Sequence, residues 1–350
     1  MLPGDSLLRA GIHQMFNFRR VEAVQNFRTI QREYPNHPAG YFMEGAAAWM
    51  MVRGTHGVHA SEDTLLARMK QSAEISKTYV KDHPRDAFGW LFYGMSLGAQ
   101  ARVDLARQHW LKAAIHGYKG IRRIQKAEKI NPDLPDLQLA LGAFHYYVAM
   151  SGPLLKTAAG IIGLNGTREE GLQELEYAAQ HGRYGPPQAN EILIYIYGYL
   201  EDQVPKAVRL TERMESEYPR SPYYVALTAD LQFSLGKTVP AGRAIDALQP
   251  MIATLDTFYA DEYKNKVVYL QGVQAFHRGE LSRAIALLNR FLRDNVDEYD
   301  FLAINAQLTI GKCYQGLDQP DKARVYYREV AGGDMPNRMK SEAERLLEQV

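Results

Sequence analysis

Cysteine is nearly absent: Cys313 is the single one in 350 residues. One thiol excludes an intrachain disulfide and any cysteine-rich zinc site. Its place in an apolar helical pattern reads as a buried structural thiol. Long apolar runs are absent too, none approaching the ~18 residues that span a bilayer. An excess of one charge is also lacking. With 41 Lys and Arg against 40 Asp and Glu, the net charge is +1. That balance argues against a dedicated nucleic-acid binder, which would carry a basic domain. With 46% apolar residues it also argues against disorder. The opening Met1-Leu2-Pro3-Gly4-Asp5 has no basic stretch followed by an apolar one. A cytoplasmic location is therefore expected, or a periplasmic or membrane-peripheral one if a signal has been removed.

Catalytic motifs are equally scarce. There is no His-Glu-x-x-His pair and no Gly-x-Ser-x-Gly elbow. Gly236-Lys237-Thr238 has the tail of a phosphate loop, but Leu231 stands where its first glycine belongs. His56 and His59 share one loop and His109 and His116 one helix face, in neither case with a third ligand. Asn165-Gly166-Thr167 has the pattern of a glycosylation sequon but reads as a turn feeding a helix. No metal site, no cofactor and no enzymatic activity are expected.

What the chain does have is small residues at a recurring period. Gly45 follows Gly11 by 34 residues. Around them Ala23, Phe27 and Pro35 supply a second small residue, a bulky one and a helix stop. Two helices that cross closely need a small residue on each side, a bulky one fills the gap beside them, and proline ends the second helix. Trp90, Gly94, Ala106 and Trp110 repeat the pattern, as do Gly142, then Ala207 with Pro219. Gly272, Gly279 and Ala284 repeat it again, and Gly311, Tyr314, Ala323 and Tyr327 close the series. A weaker unit lies around Ala229, Gly236 and Ala244.

On these residues the chain resembles the tetratricopeptide-repeat superfamily along nearly its whole length. The resemblance implies an all-α, right-handed superhelical solenoid of about eight helix pairs with a capping helix. The pairs are expected at 4–37, 38–86, 87–134, 135–187, 188–221, 222–264, 265–303 and 304–337, with 338–350 as the cap, all in a single domain. Pro84 and Pro132 come late, so two pairs carry extra length. The spacing predicts a loop over 54–61 followed by a helix over 62–81, and a long helix over 103–130, interrupted near Gly117 and Gly120. An apolar, glycine-rich insertion, 151–166, precedes a helix with Thr167 and Glu170 as a capping box. The stretch 153–179 resembles the tetratricopeptide repeat protein 39 (inclusion-body clearance) family, which implies a non-enzymatic protein linked to lipid handling.

The resemblance also implies a concave groove lined by the first helix of each pair, at its positions 2, 5, 9, 12 and 13. In the first two pairs these give Met15, Phe16, Phe42, Trp49 and Met50. The next two give Leu91, Met95, Tyr146 and Tyr147. Ile196, Tyr199, Tyr269 and Phe276 follow. Such a lining lacks the Lys, Arg and Asn set that clamps a peptide carboxylate. It suits an apolar or aromatic-anchored polypeptide, or an acyl chain, since apolar burial contributes about 25 cal/mol per Å². If the insertion fills the groove, the same aromatics are core. Lys119, Arg122, Arg123, Lys126 and Lys129 form a basic run, at which an acidic partner or anionic lipid could gather if the face is not merely solvated. The expected function is a non-enzymatic scaffold binding a protein or peptide, with a lipid-binding or membrane-peripheral protein as the alternative. No nucleic-acid partner is expected, and the oligomeric state stays open.

Overall fold

The computed structural model describes residues 1–52, 58–150, 166–294, 301–333 and 336–350. Among these, every regular element is a helix. By packing the chain divides into two compact units, residues 1–190 and 191–350.

The first unit holds α1 (Asp5–Phe16), α2 (Arg20–Glu33), α3 (Ala39–Val52), α4 (Val58–Asp82), α5 (Ala87–Ala106), α6 (Trp110–Ile130), α7 (Pro135–Met150) and α8 (Arg168–His181). The boundary falls within α9 (Pro186–Tyr195), which runs on into a π-helical turn, Ile196–Leu200. The second unit continues with α10 (Val204–Glu217), α11 (Pro222–Ser234), α12 (Thr238–Ile252), α13 (Thr257–His277), α14 (Leu281–Asp294), α15 (Phe301–Gly316), α16 (Pro320–Ala331) and α17 (Arg338–Leu347).

Two sequence patterns separate the partners within a pair. Second helices have one apolar stripe, as in Ala23, Phe27 and Ile30 of α2 or Ala284, Leu288 and Phe291 of α14. First helices are buried on most sides: in α11 every residue from Pro222 to Phe233 except Val225 is buried. Some helix starts are capped by side chains. Asp86 accepts from the amides of Phe88 and Gly89, and Thr167 and Glu170 form the expected capping box.

The recurring small residues sit at the helix crossings. A Cβ on Gly11 would lie 2.5 Å from the Phe27 ring, and one on Gly311 would lie 2.6 Å from that of Tyr327. One on Gly272 would lie 2.7 Å from Leu288, and one on Gly142 would lie 2.8 Å from the carbonyl oxygen of Gly171. The turn between partners has its own signature: Phe18, Asp202, Gly236, Gly279 and Asp318 all take left-handed backbone there.

The longer pairs depart from the sequence reading. No helix spans 103–130; α5 ends at Ala106, Gln108 turns the chain at φ 58°, and α6 runs unbroken through Gly117 and Gly120. Ala106 and Trp110 therefore do not make the crossing with Gly94. Gly120 and Ile124 make it instead, their nearest atoms 2.8 and 2.6 Å from a Cβ placed on Gly94. The extra residues lengthen both helices ahead of the crossing, so counting a standard repeat from Gly94 stops about four turns short on α6. In the sixth pair the small buried residue is Ala241, with Ile245 one turn on, rather than Ala244. Helix α4 starts by Val58, ahead of the expected 62. The insertion 151–165 lies outside the described residues.

Candidate functional site

The groove positions of the first unit are mostly closed. Met15, Phe16, Phe42, Leu91 and Tyr146 are buried, Trp49 and Met95 half-buried, and Tyr147 exposed. The Met50 side chain lies outside the described residues. The turn after α8 accounts for part of this closure. Tyr184 is buried, its ring edge-on to Phe88 of α5 at 5.7 Å. Its hydroxyl donates to Asp5 at 2.6 Å and accepts from the Leu2 amide at 3.2 Å. Arg183 holds the same Asp5 with Nε and Nη2, both at 2.6 Å. This guanidinium, foremost, drives the Asp5 carboxyl well below the usual carboxylate range. From α7, Asp136 accepts the amides of Arg183, Tyr184 and Gly185, the last two at 2.7 Å.

In the second unit a carboxylate stands at the centre. Asp230 of α11 is fully buried. It accepts from Tyr199 at 2.7 Å, from Tyr269 of α13, and from Asn305 of α15 at 3.1 Å. Burial pushes both tyrosine hydroxyls far above their ordinary range, so they remain donors. Phe301 stacks on Tyr199 at 5.0 Å. Arg338, at the start of α17, donates to the carbonyl of Gly198 at 2.6 Å and to Ser234 at 2.7 Å. Thus Ile196, Tyr199 and Tyr269 are buried, and Phe276 is half-buried.

The sequence reading missed Asp230 and Asn305, although the signal was present. They are positions 9 and 2 of the pairs beginning at 222 and 304, two groove positions of pairs from which no candidates were drawn. Tyr184, Arg183 and Arg338 lie in a turn and at a helix start, where no groove position points.

The basic run divides. Lys119, Arg122, Lys126 and Lys129 are exposed on α6. Arg123 is not part of that surface: its guanidinium lies over the rings of Tyr93 at 5.2 Å and Trp90 at 5.9 Å. The same helix exposes Trp110, Leu111, Ile115 and Tyr118.

Other chemistry is sparse. Cys313 is fully buried, which pushes its thiol up to about 12. His116 pairs with Asp104 and His145 with Glu174, each at 2.7 Å. Among the described residues, no group of three or more His, Cys, Asp or Glu could hold a metal, and no helix is long and apolar enough to cross a membrane. His56 and Asn165 fall outside the described residues.

Residues 305–332 match the family model described as tetratricopeptide repeat. No curated protein matches the chain. Among solved structures, the chain is similar to one in the APC/C hetero-tetramer Cut9-Hcn1, at 13% identity and TM-score 0.55 over 97% of this chain and 55% of that one. It therefore spans about half of that chain's length. Yeast Tom70 matches at 11% identity and TM-score 0.38, over 96% of this chain and 86% of that one. A tetratricopeptide repeat protein from Parabacteroides merdae matches at 12% and 0.36, over 91% and 99%. None of these comparisons extends to the protein 39 family suggested by residues 153–179. The recurring glycine crossings, the all-helical pairs and the likeness to the Cut9-Hcn1 chain agree on the fold, an α-solenoid of tetratricopeptide-type helix pairs, in which residues 305–332 match a tetratricopeptide repeat.

Proposed function

We propose that the chain is a non-enzymatic interaction scaffold that binds a polypeptide through the outward faces of its helices. The carrying observation is where its side chains are spent. In the second unit Tyr199, Tyr269 and Asn305, all at groove positions, converge on Asp230. In the first unit Tyr184 bridges α1, α5 and α7. Large apolar side chains lie instead on α6, where Trp110 and Leu111 are 65% and 75% exposed. Aromatic and aliphatic side chains left in water at this density mark contact surfaces more often than chance exposure does. The Cut9-Hcn1 hetero-tetramer is a precedent for this fold within a protein assembly. An acyl chain in the groove has less support, because the aromatics that would line it pack against one another.

Native mass spectrometry of the chain recovered gently from its source tests this reading. A stoichiometric polypeptide is expected. A chain that carries only an acyl species, or that flies alone under conditions preserving known assemblies, would overturn it.

A further inference from the structure

Helix α6 turns Ala113, Gly120, Ile121, Ile124 and Ala127 inward. Its outer side carries one continuous stripe. Leu111, Ile115 and Tyr118 come first, 75%, 43% and 47% exposed, and Arg122, Lys126 and Lys129 continue it, all exposed. The steps are four, three, four, four and three residues, so the six side chains follow one face over about 27 Å. Trp110, and Leu105 at the end of α5, widen the apolar end.

The charge here is lopsided. Six Lys or Arg and a single Glu fall within this 21-residue helix of a chain whose net charge is only +1. Among the described residues, Lys112, Lys119, Lys126 and Lys129 meet no carboxylate, and Arg122 bonds only to Gln125. Like charges three and four residues apart repel one another, and a row of cations continuing an exposed apolar row is complementary to a segment of opposite pattern.

We propose that this stripe docks an acidic amphipathic helix of a partner protein. Apolar residues of that helix would cover Leu111 to Tyr118, and carboxylates every three to four residues would face Arg122 to Lys129. The segregation of apolar and basic halves along the helix axis favours a helix over a bilayer. Within the stripe the cations follow the apolar residues in single file, and Lys112 and Lys119 flank its apolar half on one edge only, with Trp110 and Ala114 on the other, whereas an interfacial helix carries cations along the whole length of its polar face. The proposal rests on the scaffold reading and adds to it the surface and the partner's chemistry.

The test uses the full chain and a labelled synthetic helical peptide of about 18 residues, with Leu and Phe over its apolar half and Glu at the facing positions of the other. Two further peptides carry Gln or Lys in place of each Glu. The Glu peptide is expected to bind at least about tenfold more tightly than the Gln peptide, and to weaken as salt rises. The triple variant Arg122→Glu, Lys126→Glu, Lys129→Glu, at exposed positions and with an unchanged melting curve, is expected to lose the Glu peptide and gain the Lys peptide. Equal affinity for the Glu and Gln peptides would overturn the proposal. So would binding of phosphatidylserine vesicles through these residues with no peptide bound, or peptide binding that begins only after residues 151–165 are replaced by a Gly-Ser linker. A stoichiometric native polypeptide that ignores the charge reversal would leave the scaffold reading standing and remove the stripe alone.

Discussion

Arg183 grips Asp5 from 178 residues away, with Nε and Nη2 each 2.6 Å from a carboxylate oxygen. Tyr184, the next residue, donates to the same carboxylate. The start of α1 is thereby tied to the turn after α8, and the first unit closes on itself.

This tie gives a pH dependence. The Asp5 carboxyl is depressed in the fold, chiefly by Arg183. Its contribution is therefore fully present above the ordinary carboxylate pKa, and is lost as pH falls through the depressed value. Asp5→Asn is expected to lower stability at neutral pH and to flatten its decline toward about pH 3, measured by urea midpoints across that range. A variant with the parent's acid profile would show that the tie contributes nothing.

Asp230, itself fully buried, carries three donors. Removing it strands two buried tyrosine hydroxyls and leaves the Asn305 amide only its bond to the Tyr269 hydroxyl at 2.6 Å, so Asp230→Ala is expected to cost about 3–5 kcal/mol, at ~1–3 kcal/mol for each unsatisfied donor. Tyr269→Phe removes a single hydroxyl and is expected to cost about 1–2 kcal/mol. Chemical denaturation of both variants checks the order, and equal losses would count against a shared network.

Two glycines in comparable helical settings should respond with opposite sign. On Gly142 a Cβ would lie 2.8 Å from the carbonyl of Gly171 and from the amide of Leu175, both backbone. Gly142→Ala must therefore separate α7 from α8, at a cost of about 2–3 kcal/mol. Gly98 has nothing within 4 Å of the same position, and Gly98→Ala is expected to stabilise by about 0.5–1 kcal/mol through helix propensity. Thermal melts of the pair measure the difference directly.

Gln108 is exposed and held at φ 58°. Glycine occupies the equivalent turn at Gly236 and Gly279 without steric penalty. Gln108→Gly is expected to gain about 1 kcal/mol, since left-handed backbone costs an ordinary residue about that much. No rise in midpoint would mean that the side chain contributes as much as its backbone costs.

His145 joins α7 to α8 through Glu174, a pairing that raises its pKa, with the hydrogen bond as the largest cause. Its contribution is fully present below the ordinary histidine value of ~6.5 and is lost as pH rises through the raised one. NMR titration of the imidazole should show the upward shift, and His145→Gln should remove that part of the stability profile.

Much of the helix pairing was legible because its determinants are close in sequence. Gly11 and Phe27, or Gly311 and Tyr327, are 16 residues apart and touch. The same logic misplaced the crossing in the third pair, where Gly94 meets Ile124 across 30 residues. A period read from regular pairs does not reveal where extra turns have been inserted. The groove was legible as a set of positions, but not as open or closed. Tyr146 and Tyr199 look identical on a helical wheel whether they face a ligand or Tyr147 and Phe301.

The sequence by itself determined that this protein is a succession of antiparallel helix pairs, because a small residue opposite a bulky one leaves neighbouring helices a single close way to cross. Only the tertiary structure decided what the inner faces do. Arg183 reaching Asp5, and Arg338 reaching the carbonyl of Gly198 across 140 residues, depend on the summed rotation of many pairs. No local pattern encodes that sum, since a few degrees at each crossing separate an open groove from one that closes on its own side chains.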